Sequence, residues 1–328
     1  MSDAASAAAP CPVVRARSIL QKVRAGGNEW FGIDYNMNLY RGCCHGCIYC
    51  DSRSECYRID DFDRVSVKFA ALAILRRELR SRRVRGIVGV GAMSDTYNPF
   101  ERTLRVTRGA LELIEEFGFG VSVDTKSTLI TRDIDVLSAI GAAGGAIAKI
   151  TVTTADDQLA RIIEPHAPSP SERLAALADE IWHEYWPALI GDAQTDYMVE
   201  NFQSLGAIER DLREHAYEYW FLRAAEDGRT VGYTGGRVEP ETNRFFISKV
   251  YLRAEERGKG FASRAIAFYE RLCRERGLDA MYLTVNKRND LGIRAYLGKG
   301  FETIDAVETD IGNGFVMDDY IMEKRVER

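Results

Sequence analysis

Glu164-Pro-His-Ala-Pro-Ser-Pro-Ser171 is the proline-dense stretch in the middle of this 328-residue chain. Proline fixes φ and withholds an N–H, so the stretch reads as a linker between two segments of different pattern. Upstream, short apolar runs bounded by glycine alternate with helical periodicity. An extended segment over 31–40 precedes a helix over 68–83, a strand over 86–92, a helix over 104–117, a strand over 120–126, a helix over 132–140 and a strand over 147–154. That alternation predicts βαβ units and a parallel sheet of four strands. Downstream the pattern changes. Helices over 172–186, 195–203 and 207–214 precede strands over 219–225, 230–238 and 245–252, with turns at 226–228 and 240–243, an antiparallel meander. A helix over 262–276, a strand over 280–285, a helix over 290–299 and two closing strands complete it. The expected organisation is a flexible arm over 1–28, a first domain over 29–163, a linker over 164–171 and a second domain over 172–328. The length itself predicts about two domains of ~150 residues.

At 46% apolar and 28% charged the composition is globular, neither a disordered tail nor a fibre. No run of ~18 apolar residues spans a membrane, and the start MSDAASAAAPCPVVRAR has no apolar leader core, so a cytoplasmic protein is expected. Residues 1–172 carry 22 Lys/Arg against 21 Asp/Glu, and residues 173–328 carry 22 against 28. Neither half is basic enough to argue nucleic-acid binding from composition. The run Arg76, Arg77, Arg80, Arg82, Arg83 and Arg85 suits a helix C-terminus better than a phosphate backbone.

Six of the seven cysteines fall in the first half: Cys11, Cys43, Cys44, Cys47, Cys50 and Cys56, with Cys273 alone in the second. Within Cys43-Cys-His-Gly-Cys47-Ile-Tyr-Cys50 the CxxxCxxC spacing puts three thiolates on one loop, enough to hold a face of an iron-sulfur cube with one iron open. Zinc would need a fourth ligand, from Cys44, His45 or Cys56.

Here the chain resembles the radical S-adenosylmethionine superfamily, in particular the group related to spore photoproduct lyase. The likeness covers about residues 30–175 and rests on Asn38 to Asp51, Gly91-Ala-Met-Ser-Asp-Thr-Tyr-Asn-Pro-Phe-Glu101, Thr125-Lys-Ser127 with Ile130-Thr-Arg-Asp133, and Thr151 to Asp156. It implies that Cys43, Cys47 and Cys50 ligate a 4Fe–4S cluster whose open iron holds S-adenosylmethionine, and that an external reductant feeds the cluster. Electron transfer then yields a 5′-deoxyadenosyl radical. Ser94, Asp95, Lys126 and Thr153 follow successive strand ends, where parallel sheets place ligand contacts, and are expected to contact that cofactor. Such barrels have six βα units, whereas four precede the linker, so the first domain is expected to be a partial (βα) parallel barrel.

In the second half Val250-Tyr-Leu252 leads into Arg257-Gly-Lys-Gly-Phe-Ala262 at a helix start. Glycines there let backbone N–H groups approach an anion at the positive end of the helix. Further on, Asn289 and Tyr296 lie two helical turns apart and share a face. These residues resemble the GNAT superfamily of N-acetyltransferases, a mixed, mostly antiparallel α/β fold, over about residues 172–328. The likeness implies that Arg257, Gly258, Lys259, Gly260, Phe261 and Ala262 form the acetyl-CoA loop. Val250, Leu252 and Asn289 would hold the pantetheine arm, which wedges between parted strands, and Tyr296 would protonate the departing thiolate. Gly292 stands where such helices commonly have Ala.

The tail Asp310 to Lys324 resembles polyamine-type acetyltransferases, with Asp318 and Asp319 either facing a cationic amine or sitting in a hairpin turn, the turn being favoured. The expected acceptor is a small primary amine, such as a polyamine or a peptide N-terminus. His183, Tyr197 and Glu239 are unranked candidates for the general base. The leading reading is an acetyltransferase fused to a shortened radical domain. Two others are a radical enzyme served by the second module and a first half that is a non-catalytic scaffold.

Overall fold

The computed structural model describes residues 11–23, 32–154, 156–225 and 229–326. The turn expected at 226–228 lies outside the described residues. The chain divides into two compact units, Met1–Arg173 and Leu174–Arg328.

The first unit contains strands β1 (Val13–Val14), β2 (Leu20–Lys22), β3 (Tyr35–Met37), β4 (Tyr40–Arg41), β5 (Ser66–Lys68), β6 (Ile87–Val90), β7 (Gly120–Thr125) and β8 (Ala146–Ile150). The main sheet runs β2-β3-β6-β7-β8. Its last four strands are parallel and β2 is antiparallel to β3, so the four expected parallel strands are present in chain order. Helices Ala71–Ser81 and Val106–Glu116 connect them. Ala71, Leu75 and Leu79, four residues apart, stack on one helical face, and Leu75 and Leu79 are fully buried. Val121 and Val123 of β7 are equally buried, each such side chain contributing about 1.5–3 kcal/mol. Gly91 ends β6 at φ +100°, where a Cβ would lie 1.9 Å from the Asp124 carbonyl. Glycine alone lets the chain leave the sheet there.

Two sequence expectations change here. The segment 11–23, expected to be part of a flexible arm, supplies β1, paired parallel to β5, and β2. Its anchor is Glu78, whose carboxylate accepts from the Ile19 and Leu20 N–H groups at 3.0 and 2.8 Å. The stretch 164–171, expected as a linker, packs within the first unit. Ser169 and Glu172 exchange hydrogen bonds as a capping box, with Pro170 as the first residue of helix Pro170–Tyr185. The prolines therefore start a helix. Among the basic run, Arg85 donates to the Leu79 and Arg82 carbonyls at the end of helix Ala71–Ser81, Arg82 lies over Tyr35, and Arg76 pairs with Glu116.

The second unit is a six-stranded sheet in which β9 (Glu218–Arg223), β10 (Thr230–Glu239), β11 (Arg244–Leu252), β12 (Ala280–Asn286), β13 (Glu302–Gly312) and β14 (Phe315–Arg325) run in the order β13-β14-β12-β11-β10-β9. Only β11 and β12 pair in parallel; the remaining ladders are antiparallel. Helix Phe261–Arg276 returns between them and buries Ala265, Ile266, Tyr269 and Cys273. The β11–β12 ladder runs from Arg244↔Ala280 to Ile247↔Leu283. Both strands continue past it, and the sheet opens between them. No helix among the described residues is long and apolar enough to cross a membrane.

Candidate active site

A cavity of about 650 Å³ occupies the second unit where β11 and β12 part. It brings together Val250, Leu252, Arg257, Gly258, Gly260, Phe261, Ala262, Asn289 and Tyr296, residues that the sequence spreads over almost fifty positions. Lys259 does not line it; its ammonium faces Glu256 at 3.3 Å.

The backbone explains why this opening can hold a ligand. The Arg253 N–H donates to the Val231 carbonyl on β10. Strand alternation turns the Val250 and Leu252 N–H groups the other way, toward the gap. Gly258 and Gly260 adopt φ of +78° and +82°, and Gly260 is the N-cap of helix Phe261–Arg276, whose first N–H groups are therefore open at the cavity. Arg257 is fastened by three contacts: its Nε donates to the Leu252 carbonyl at 3.1 Å, its guanidinium pairs with Glu184, and it lies 4.5 Å over the Tyr185 ring. An incoming phosphate therefore competes with Glu184.

Asn289 Oδ1 accepts from the Gly292 N–H at 2.9 Å and from the Tyr185 hydroxyl at 2.8 Å. What Asn289 offers a ligand is its amide N–H₂. A Cβ at residue 292 would press on that amide from 2.9 Å, so glycine at 292 serves the cap. Burial, with Tyr185 adding to it, pushes the Tyr296 phenol up to about 12, so it keeps its proton at neutral pH.

Other lining residues escaped the sequence reading. Trp182, Tyr185 and Trp186 form an aromatic wall, with Trp182 and Trp186 stacked at 4.9 Å. Lys249 is buried and pairs with Asp211 at 3.1 Å. Asp318 and Asp319, expected in a hairpin turn, lie inside β14; the turn itself is at Asn313 and Gly314. Strand alternation was the available signal, since it puts Asp319 on a face with Met317 and Ile321. The three base candidates lie off the cavity lining. His183 pairs with Asp179 and Asp196, the Tyr197 hydroxyl donates to the Ile311 carbonyl, and Glu239 pairs with Arg237.

In the first unit the cysteine loop lies beside the C-terminal ends of the parallel strands. Gly42, at φ +79°, lets it pass the Phe62 and Arg64 carbonyls, which a Cβ would meet at 2.7 and 2.5 Å. Cys47 is buried; Cys43 and Cys50 are half-buried. Burial pushes the Cys43 thiol up to about 12 and raises Cys47, so ligation must displace their protons. Among the described residues no three His, Cys, Asp or Glu side chains converge as an ion site. A single zinc needs its donors about 2.3 Å from one point, whereas a cube spreads thiolates over separate irons. The donor set fits the cluster in type and sequence proximity.

Asp95 is spent on scaffolding. Its Oδ1 accepts from the Tyr97 N–H and the Thr125 hydroxyl, its Oδ2 accepts from the Lys126 N–H at 2.7 Å, and His45 stands 3.5 Å away. Ser94 donates to the Tyr40 carbonyl. Thr153 and Tyr49 both donate to Glu164, Lys126 approaches it at 3.9 Å, and Arg173 closes the group. Burial alone would raise the Glu164 carboxyl, but the bonds from Thr153, Tyr49 and Arg173 outweigh it and hold it low. Glu164 is thus the buried centre beside the cysteine loop, a role the linker reading concealed.

Comparison with known proteins agrees with this division. Residues 37–180 match the radical SAM superfamily, and residues 178–301 match the acetyltransferase (GNAT) family. The chain carries a radical SAM domain followed by a GNAT acetyltransferase domain. An uncharacterized protein of Mycobacterium tuberculosis is 32% identical over 150 residues, 44% of each chain. The match thus spans less than half the length of that relative. An uncharacterized protein of Methanocaldococcus jannaschii is 28% identical over 238 residues, 70% of this chain and 75% of its own. Among solved structures, the PaiA N-acetyltransferase of Thermoplasma acidophilum in complex with coenzyme A aligns at 20% identity over 47% of this chain and 92% of its own, with a TM-score of 0.40. A spermidine N-acetyltransferase SpeG chimera from Vibrio cholerae and hSSAT aligns at 18% identity over 47% and 89%, with a TM-score of 0.35.

Proposed function

We propose that the second unit transfers an acetyl group from acetyl-CoA to a primary amine. The observation that carries this reading is the parting of β11 from β12 over a cavity lined together by Val250, Leu252, Arg257, Gly258, Gly260, Asn289 and Tyr296. The Val250 and Leu252 N–H groups bind the pantetheine arm as a strand would. The open helix N-terminus, with Arg257 released from Glu184, receives the pyrophosphate. The amine attacks the thioester directly, its approach fixed by the cavity walls. A backbone N–H near Leu252 stabilises the oxyanion, and Tyr296 gives its proton to the departing thiolate. The test is CoA release by the full chain with a panel of primary amines, including spermidine and peptides with free N-termini. Amine-dependent thiol release supports the reading; absence of acetyl-CoA binding defeats it.

For the first unit we read a partial βα barrel, related to spore photoproduct lyase, in which Cys43, Cys47 and Cys50 hold a 4Fe–4S cluster. When bound and reduced, such a cluster supplies the electron that cleaves S-adenosylmethionine to a 5′-deoxyadenosyl radical. The chain's own part is to hold that cofactor at the strand ends: Lys126 supplies a cation for its carboxylate, Thr153 a hydroxyl held by Glu164, and Asp95 and Ser94 fix the loop behind them. The free thiols among the described residues suit a reducing cytoplasm. Four parallel strands in place of six favour the acetyltransferase as the principal activity. Formation of 5′-deoxyadenosine after anaerobic reconstitution would instead favour a radical enzyme served by the second module.

A further inference from the structure

Among the described residues the carboxylates lining the cavity are Asp211 and Asp319. Asp211 is fully engaged: Lys249 pairs with it at 3.1 Å, the Tyr219 hydroxyl donates to it at 2.7 Å, and His215 stands at 3.3 Å. Asp319 is different. It is 4% exposed, and its Oδ1 has no hydrogen-bond partner among the described residues. It stands in β14 opposite Asn286, at the end of β12 that has already parted from β11. Tyr251, Tyr296 and Asp319 line the same cavity, so carboxylate and phenol face one chamber.

A buried carboxylate with an open oxygen is costly unless something pairs with it. Lys287, which acts on Asp319, pairs with Asp318, and Lys249, another residue of the cavity lining, pairs with Asp211. We propose that the missing partner is the acceptor itself: Asp319 receives the primary amine as its ammonium ion and takes the proton that must leave before nitrogen can attack. This proposal rests on the acetyltransferase reading and assigns that reaction its general base and a cationic acceptor. The atoms balance. One ammonium proton passes to Asp319 and then to solvent. As the C–N bond forms and the C–S bond breaks, Tyr296 protonates the thiolate and is reprotonated from the nitrogen, and the third proton stays on the amide.

The groups facing Asp319 agree with the role. Burial first and the Asp318 charge second raise its carboxyl to about 6, against the smaller lowering effects of the Thr284 hydroxyl and Lys287. Tyr251 lines the same cavity from β11, and Glu308 on β13 stands opposite Asp318 and raises Lys287. A base of this kind is ionised at neutral pH and close enough to it to return the proton.

The test compares wild type and Asp319→Asn, as full chains, in acetyl-CoA binding and in the pH dependence of kcat/KM for spermidine. The wild-type profile is expected to rise with a limb near 6. Asp319→Asn is expected to bind acetyl-CoA as wild type does, to lose that limb and to lose about 10²- to 10⁴-fold in kcat/KM. A variant that binds acetyl-CoA normally and keeps both rate and limb overturns the assignment. A wild type that binds no acetyl-CoA overturns the acetyltransferase reading and this proposal with it. An Asp319→Glu variant that recovers the acidic limb at reduced rate supports it.

Discussion

Tyr296, Asp319 and Glu164 differ in how far the sequence revealed them. Tyr296 was legible because its spacing from Asn289 fixes a shared helical face. Asp319 was misplaced because an Asp-Asp pair near glycines is ordinarily a turn, and only the register of β14 buries it. Glu164 was hidden by its prolines. Replacing Tyr296 with Phe is expected to lower kcat about 10²-fold or more without weakening acetyl-CoA binding. Asp319 carries a raised carboxyl, so its ionised form opposes folding above its ordinary 3.8. Asp319→Asn is accordingly expected to melt no lower than wild type at neutral pH, the opposite of its effect on rate. Glu164 has the reverse sign. Its stabilising effect is present above the ordinary 4.5 and is lost as pH falls through its lower folded value. Glu164→Gln is expected to remove that acid-sensitive part and to cost about 3–5 kcal/mol, because Arg173 is left buried and unpaired. Thermal melts across acidic and neutral pH check both.

At the scale of elements, the sequence conveyed helices and strands with strong periodicity and failed where pairing partners are distant. β1 and β2 are two and three residues long. No local pattern marks them, and they exist because β5 and β3 offer edges. The parting of β11 and β12 was foreseen through family likeness and is now visible as a ladder that stops at Ile247↔Leu283. The turn before helix Phe261–Arg276 can be tested at both ends. Gly260→Ala forces an L residue into φ +82°, at about 1–2 kcal/mol, and points its strain at the N–H groups that receive phosphate. Weaker acetyl-CoA binding is expected. Glu184→Gln has the opposite direction: the Arg257 pair is partly exposed, so its loss alters binding by at most about 1 kcal/mol, and freeing Arg257 tightens acetyl-CoA up to about fivefold. Calorimetric titration of the two variants separates these signs.

For the whole molecule, length led to an expectation of two domains; the chain divides into two compact units, and six of its seven cysteines fall in the first. That 164–171 belongs to the first unit was only partly legible: Ser169-Pro-Ser-Glu172 carries the capping-box spacing, whereas the pairing of Glu164 with Thr153 and Tyr49 joins residues far apart in the chain. Iron analysis after anaerobic purification is expected to find iron in the full chain and none in Cys47→Ala. The central claim is that the parted strands house acetyl transfer. It is tested most directly by following CoA release from acetyl-CoA in the presence of spermidine, for wild type and Tyr296→Phe. The account predicts amine-dependent release by wild type and its near loss in the variant at unchanged acetyl-CoA affinity. Equal release by the two proteins, or none by wild type with any primary amine tried, would contradict it.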